Sequence, residues 1–453
     1  MAAVDAAARE PIEVLIERAG RAVARGALQM MGGSYGRVVR VIVGKGNNGN
    51  DGRIAAEVLR ASGVRVDLVD AADAPAVLAL ADLIIDAAYG TGFKGSWTPP
   101  DVGAVPVLAV DVPSGVDALT GSTSGPVIAA DRTITFQAVK PGLLFGHGAR
   151  LAGRVDVVDI GLDLAAGSEA PAQCHLVERS DVAAWWPWRR ADAHKWQGAV
   201  RVLAGSPGMA GAAVLCAEAA ARSGAGLVEL STLATQTCVR AEIMQRPLDG
   251  DDWSGEVLEG LDRFGALGIG PGLGRDSGTV EAVRTMISDA PIPVIVDGDG
   301  LNALADDPVA ALAGRSAATV LTPHDGEFRR LTGSLPGGDR IAATRGLASR
   351  LGCVVLLKGP TTVVTDPEGE VLLVDHGDQR LATAGSGDVL SGIVATALAC
   401  GLDPLRAAAA SAWVHAEAGQ IQQPWGLLAG DLVDALQQAL AGLRSMSMME
   451  RQP

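Results

Sequence analysis

The chain has 453 residues, a formal charge of -15 and a hydrophobic share of 48% with few aromatics, which predicts two or three domains of Ala/Val/Leu-rich α/β layers around a large core. The acidic balance excludes a global electrostatic footprint for nucleic acid or an anionic membrane, so an anionic ligand must be held by local lysines and backbone amides. Cys174, Cys216, Cys238, Cys353 and Cys400 are odd in number and form no C-x-x-C pair, which predicts reduced thiols used as core filler in a cytoplasmic protein.

No signal-type apolar run opens the chain, and the longest uncharged apolar run, residues 389–402, is too short to span a bilayer. Five lysines stand against thirty-two arginines, and each of Lys45, Lys94, Lys140, Lys195 and Lys358 has a glycine within three residues downstream. Arginine presents a rigid, permanently charged fork, whereas lysine is a compact ammonium that reaches a phosphate or ribose from a tight turn. The pattern points to glycine-lined loops that need an ammonium.

From Val38 short β-branched runs alternate with helical patterns: VVRVIVG, a helix over RIAAEVLRASG starting near Arg53, then VRVDLVD, LIIDAAYG and VPVLAVDVPSG. This alternation predicts an α/β domain with a parallel sheet. GKGNNGNDG, between the first strand and its helix, is a strand-loop-helix ligand site in form, but neither G-x-G-x-x-G nor a Walker loop. Its asparagines, with Asp86 in LIIDAAYG and Ser114 in DVPSG, offer an all-oxygen shell of low charge that suits a large monovalent cation better than zinc.

The pattern stops at AAGSEAPAQ, and after Trp185, Trp186, Trp188 and Trp196 it restarts at AVRVLAGS, which sets a boundary between residues 1–165 and 190–445 with a linker at 166–189. The second half continues with ALGIGPGLG, PVIVDGDGLN, ATVLTPHDGE, CVVLLKGPTTVV and TAGSGDVLSGIVATALA. Strand ends again carry Gly, Asp, His or Lys, and in open parallel sheets the ligand crevice lies beyond those ends. The last ten residues, RSMSMMERQP, read as a frayed tail.

In TAGSGDVLSG, Gly385, Ser386 and Gly387 open a helix whose apolar residues Val389, Leu390, Ile393, Val394, Ala397 and Leu398 follow helical spacing. Bare amides at a helix N-terminus can cradle a phosphate. Asp388 beside that cradle would repel an anion unless it acts as a base on a hydroxyl that attacks phosphorus. Its bland alternative is an ordinary N-capping carboxylate.

LTPHDGE resembles the T-P-N-x-x-E segment of the ribokinase-like superfamily, with His324 in the asparagine place and Glu327 keeping the acid. Together with GIGPGLG, VDGDGLN, LLKG and GSGD, it is similar to the ADP- or ATP-dependent NAD(P)H-hydrate dehydratases over residues 190–440. The resemblance implies a ribokinase-like three-layer α/β fold in which a nucleotide phosphorylates the hydroxyl of hydrated NADH or NADPH, and elimination restores NAD(P)H. It implies Asp388 as base, and Gly385, Ser386 and Gly387 with Lys358, Gly359, Pro360, Thr361 and Thr362 on ADP. Gly272 and His324 would line the hydrate site, and Glu327 would help hold magnesium.

GNNGNDG, DAAYGTGFKG, VDVPSGVD and TFQAVKPGLL together resemble the NAD(P)H-hydrate epimerase domain over residues 10–160. That implies a Rossmann-like three-layer domain that interconverts R and S hydrates, with potassium on Asn48, Asp86 and Ser114. Asn47, Asn48, Gly49, Asn50 and Asp51, the loop Gly90, Thr91, Gly92, Phe93, Lys94, Gly95 and Ser96, and Asp111 would bind the hydrate, Asp111 also carrying the proton. Asn50 replaces the usual second glycine of N-N-G-G-D, which predicts a side chain projecting toward the ligand and weaker epimerisation. A vitamin or sugar kinase bearing a noncatalytic N-terminal binding module is the alternative, and a homo-oligomer is expected in either case.

Overall fold

The structure is a computed structural model that describes residues 8–164, 174–235, 237–249 and 253–449, with side chains to residue 444. Chain contacts divide it into two units, Met1–Ala172 and Gln173–Pro453.

The first unit is built on a six-stranded parallel sheet: β1 (Val38–Val43), β2 (Arg65–Asp70), β3 (Leu83–Ala87), β4 (Val107–Val110), β5 (Arg132–Phe136) and β6 (Arg154–Val158). Their order is β2-β1-β3-β4-β5-β6. β3 and β4, LIIDA and VLAV, are buried throughout, whereas β5, RTITF, alternates threonine with apolar residues and β6, RVDVV, carries Asp156 between its valines. On one face the helices Ile12–Met31 and Asn47–Ala61 press Ala19, Val23, Ala27, Ala55 and Leu59 onto Val39, Val41, Leu83 and Leu108. Ile42, Ile84 and Ala109 fill the opposite face with Leu78 and Ile128.

The second helix starts at Asn47, not near Arg53, because its first-turn amides need no intrahelical carbonyl and Asn and Gly cost little there. The asparagines of GNNGNDG are thereby fixed in a helical turn. β1 lies between β2 and β3, so the sheet order reverses there and opens a crevice beyond Val43 and Ala87.

The second unit carries ten strands in the order β10-β9-β8-β11-β12-β13-β14-β15-β16-β7. They are β7 (Cys174–Leu176), β8 (Ala199–Leu203), β9 (Leu227–Thr232), β10 (Met244–Pro247), β11 (Ala266–Ile269), β12 (Val294–Val296), β13 (Thr319–Leu321), β14 (Val354–Leu357), β15 (Thr362–Thr365) and β16 (Val371–Val374). All neighbours are parallel except at β15, which runs against β14 and β16, so LLKGPTTVV is a hairpin and not a single strand. The switch from β8 to β9 on one side and β11 on the other opens a second crevice.

Part of the expected linker is structural. Cys174–Leu176 pairs with β16, and the helix Arg179–Trp185 follows behind a capping box of Glu178 and Asp181. The composition break at 165–173 lies outside the described residues. The tryptophans have a packing role: Trp186 is buried, Trp185 and Trp188 pack on the same core, and Trp196 meets Phe264 edge-on under Arg263. Lys195 lies over the Trp196 ring, so its neighbourhood is aromatic. Cys216 and Cys353 are core residues but Cys238 is exposed, which corrects the reading of all five as filler. The expected frayed tail is helical to Met449 within Ala429–Met449, and residues 450–453 lie outside the described set. No helix of the described residues is long and apolar enough to cross a membrane.

Candidate active sites

The first crevice is a cavity of about 920 Å³. Two loops meet at its floor, and the meeting requires glycine: a side chain at Gly44 would run into the Ala88 carbonyl, and one at Gly49 into the Gly44 carbonyl, each at 2.0 Å. Of the residues expected to bind the hydrate, Asn47, Asn48, Asp51, Gly90, Thr91, Gly92, Phe93, Lys94 and Asp111 line this cavity. Gly49, Asn50, Gly95 and Ser96 do not line it. Asn50 is held from the other side, its Oδ1 accepting from Arg53 Nη1 at 3.3 Å, which corrects the expectation that its side chain projects toward the ligand. It sits in helical, not left-handed, backbone, so the substitution demands no unusual turn.

Below the loops Asp86 is fully buried and held by three donors: Ser114 Oγ at 2.6 Å, Ser114 N at 2.9 Å and Ala88 N at 3.3 Å. Burial still pushes its carboxyl above the ordinary carboxylate range. Ser114 Oγ also contacts the Tyr89 backbone, and Gly90 lies against Asn48. Asn48 Oδ1 and Nδ2 are buried with no partner among the described residues. An orphaned amide oxygen near a buried acid is a vacancy in hydrogen bonding that a monovalent cation fits.

At the far wall Asp111 follows β4 with a φ of +67°, a left-handed conformation that costs a non-glycine residue about 1–3 kcal/mol. Asp111 Oδ1 receives Lys140 Nζ at 2.7 Å and Thr135 Oγ1 at 3.2 Å, and Lys140 Nζ also donates to the Phe136 carbonyl at 2.7 Å. The lysine is thus a buried, committed partner of Asp111. Asp51 forms no hydrogen bond or ion pair among the described residues; burial, and then the nearby charge of Asp111, push its carboxyl up to about 8.

The second site gathers at the carboxyl ends of β11 to β14. Gly385, with a φ of +88°, caps the helix Ser386–Ala399, and this left-handed turn aims the first amides of the helix outward. The space a side chain would take at Gly387 is bordered by Lys358 Nζ and Asp297 Oδ2, each at 3.5 Å. Lys358 Nζ pairs with Asp297 Oδ1 at 2.8 Å and lies 3.6 Å from Glu327 Oε2. Burial works against the ammonium, but Asp297, Glu327 and Asp388 outweigh it and raise its pKa. Asp388 makes no hydrogen bond or ion pair among the described residues; burial and then Asp297 push it up to about 7, against the opposing pull of Lys358.

His324 caps the helix Asp325–Thr332: its Nδ1 accepts from Gly326 N at 2.9 Å, while Glu327 Oε2 accepts from His324 N at 2.9 Å. With Nδ1 turned to the backbone, His324 Nε2 lies 3.6 Å from Glu327 Oε1. Gly272 is buried against Met209 and Ala212, and its carbonyl accepts from Ser206 Oγ at 2.9 Å. Gly359, Pro360 and Thr361 make the β14–β15 turn into Thr362, and Arg340 fastens it through the Lys358 carbonyl at 2.9 Å.

Sequence reasoning missed three members of this site. Asp297 stands at the end of β12 in VDGDGLN, a strand-end acid that could have been read. Ser391 Oγ donates to Asp297 Oδ2 at 2.8 Å and fixes it, and His415 Nε2 meets Ser386 Oγ at 3.0 Å deep in the core. Burial holds His415 down at about 4, so it is neutral. Both lie on apolar helices that give no local signal.

The fold and sites define a two-module α/β enzyme whose second module is ribokinase-like. A ribokinase-like superfamily protein of Enterococcus faecalis superposes with a TM-score of 0.54 at 21% identity, over 61% of this chain and 98% of that one. An ADP/ATP-dependent NAD(P)H-hydrate dehydratase of Bacillus subtilis, co-crystallised with ATP and Mg2+, superposes at 0.51 with 30% identity over 59% and 98%. The family profile described as NAD(P)H-hydrate dehydratase matches residues 200–438, and that of the YjeF-related protein N-terminus matches 12–79 and 70–142. Bifunctional NAD(P)H-hydrate repair enzymes of Mycobacterium tuberculosis and Salinibacter ruber are 42% and 36% identical, covering 83% and 95% of this chain and 82% and 92% of theirs. The chain belongs to the family of bifunctional NAD(P)H-hydrate repair enzymes.

Proposed function

We propose that this protein repairs hydrated NADH and NADPH, its first unit epimerising the R and S hydrates and its second dehydrating the S hydrate with a nucleotide, ADP in preference to ATP. The observation that carries the reading is the coexistence, in one chain of this family, of an Asn/Gly/Asp-lined cavity and a separate helix N-terminus flanked by Lys358 and Asp388.

In the second unit the amides at 385–387 and Lys358 hold the terminal phosphate, the β14–β15 turn holds the rest of the nucleotide, and His324 with Gly272 orients the hydrate. Asp388 removes the proton of the hydrate's hydroxyl as its oxygen attacks phosphorus. A carboxyl with its pKa near 7 is matched to that task. Phosphate then leaves with the carbon–oxygen bond electrons, the ring nitrogen's lone pair assisting, and the neighbouring ring carbon gives up a proton to water, so that the nicotinamide ring regains its double bond. The described residues contain no group of three or more His, Cys, Asp or Glu able to hold a metal ion, so magnesium would enter with the nucleotide and meet at most Glu327 and its neighbours, the usual economy of protein ligands for Mg2+ on phosphates. Its charge would offset Asp297, Glu327 and Asp388, which share one lysine, Asp299 being paired with Arg275 at 2.8 Å.

In the first unit Asn48, Asp86 and Ser114 would hold potassium, which supplies positive charge to the buried Asp86 and ties the two floor loops together. Asp111, fixed by Lys140 and Thr135, carries a proton to or from the hydrate's hydroxyl. The asparagine at position 50 leaves the cavity open, which supports a working epimerase.

The test is to incubate the protein with mixed R and S hydrates, with and without ADP. Complete recovery of NAD(P)H absorbance with ADP, with AMP and phosphate formed one for one, is expected. Recovery of only the S fraction removes the epimerase, and a phosphorylated vitamin or sugar as the preferred product replaces the dehydratase with a kinase.

A further inference from the structure

Inverting a ring carbon through loss and re-addition of its hydroxyl takes two proton transfers: one onto the departing oxygen and one off the oxygen that returns. One carboxylate cannot do both at the same instant. The cavity of the first unit contains two carboxyl groups in different electrical situations. Asp111 has a dedicated cation, Lys140, at 2.7 Å. Asp51, in the second turn of the Asn47–Ala61 helix, is 7% exposed, lines the same cavity and its carboxyl has no partner among the described residues. A buried carboxyl without a counter-ion keeps its proton at neutral pH, while one paired with an ammonium gives it up.

The other titratable groups lining the cavity leave this division intact. Glu10 is paired with Arg18 at 2.8 Å, Lys94 is an exposed residue on the loop after β3, and Tyr89, on the same loop, stacks on Phe93. Lys140 is the cation of the inner wall, and both of its close contacts are spoken for by Asp111 and the Phe136 carbonyl.

We propose that Asp51 is a second catalytic proton carrier of the first unit, working with the Lys140-paired Asp111 as acid and base in epimerisation. The proposal rests on the epimerase reading above. The bond from ring carbon to hydroxyl breaks as the Asp51 carboxyl gives its proton to the oxygen, which leaves as water. The lone pair of the ring nitrogen becomes a carbon–nitrogen double bond. Water adds to the carbon on the other face, its extra proton passes to the Asp111 carboxylate, and the double-bond electrons return to nitrogen. Asp51 ends ionised and Asp111 protonated, the state that runs the opposite inversion, and a proton relayed between them by water restores the start. No atom or electron is gained or lost.

The experiment compares the full-length parent, Asp51→Asn and Asp111→Asn, following R and S hydrates by chromatography and hydrate affinity by calorimetry. Asp51→Asn is expected to lower the epimerisation kcat about 100-fold, in the range of one general acid, with hydrate Kd changed less than threefold. A kcat within threefold of the parent overturns the proposal, as does a rise in KM or Kd that accounts for the whole loss. Infrared difference spectra of the carboxyl carbonyl at neutral pH give a reading independent of turnover. A protonated-carboxyl band that Asp51→Asn removes and Asp111→Asn retains supports the proposal, and its absence from the parent overturns it. If the parent leaves the two hydrates unmixed, the epimerase reading falls and the proposal with it; if Asp111→Asn alone is inactive, only the proposal falls.

Discussion

In each half of the molecule one lysine is committed to a strand-end carboxyl group while another carboxyl of the same site has no ion pair among the described residues. Lys140 sits on Asp111 at 2.7 Å and Lys358 on Asp297 at 2.8 Å. The carboxyl left beside each pair, Asp51 or Asp388, has no cation of its own and is pushed up to about 8 or about 7. The surroundings differ. The first pair faces a cavity lined by asparagine, glycine and aromatic side chains, which suits one neutral ring and a monovalent ion. The second faces a helix N-terminus with Glu327 added and Asp299 held by Arg275, an arrangement that suits a phosphate chain arriving with a divalent ion. A similar electrostatic arrangement thus recurs in both crevices, and on the proposed function the neighbouring backbone directs it to proton exchange in one and phosphoryl transfer in the other.

If the halves work separately, Asp388→Asn lowers ADP-dependent dehydration by about 10³-fold or more and leaves R to S conversion at the parent rate. Absorbance recovery and chromatography of the hydrates measure the two. A parallel fall in both activities breaks the comparison.

Paired and unpaired carboxyls should also respond oppositely in stability. Asp111→Asn strands the buried Lys140 ammonium and should cost about 3–5 kcal/mol, read as a lower denaturant midpoint, whereas Asp297→Asn leaves Lys358 with Glu327 at 3.6 Å and should cost less. Asp51→Asn and Asp388→Asn remove no partner and should not lower the midpoint.

The pH dependence sharpens the same point. Asp51 has an ordinary value of 3.8 and a folded value of about 8, so the folded state binds the extra proton. Stability from this group is full below pH about 4 and is lost as pH rises toward 8. Asp51→Asn should therefore raise the melting temperature at pH 8 by a few degrees and leave it unchanged near pH 4, where the parent carboxyl is protonated as well. Asp388→Asn should act alike, with its window closing near pH 7. Scanning calorimetry at the two pH values checks both, and equal effects at both would show that the carboxyls are not proton-bearing.

The smallest effect concerns the ion. Replacing sodium chloride by potassium chloride should raise the melting temperature of the parent by about 1–3 °C, the response to an ion at a few times its Kd. Asn48→Ala or Asp86→Ala should abolish the difference. A potassium response that survives both variants places the ion elsewhere.

The α/β class, the strand-end location of both crevices and the glycine-led helix start at 385–387 were legible in the sequence, because each depends on short-range pattern: β-branched runs, glycine before a helix, and acids at strand ends. Asp388 was singled out by the same local signal, Asp111 and Lys358 through the family resemblance, and the roles of all three are proposals. The boundary was less legible, since Cys174–Leu176 is too short to announce itself and becomes a strand only because β16 offers it an edge. Asn50 was read from its place in a motif, and the structure turned it toward Arg53.

What the sequence determined by itself was which residue types stand at the ends of which elements. What the tertiary structure decided was the pairing: that Lys140 goes to Asp111 and Lys358 to Asp297, that Ser391 and His415 reach the second site from inside apolar helices, and that Asp51 and Asp388 are left without a cation. These partners are separated by 29 to 94 residues, or by several elements, so no window of sequence contains them. The charge a carboxyl carries depends on the burial and the partner that folding supplies, and composition alone cannot assign it.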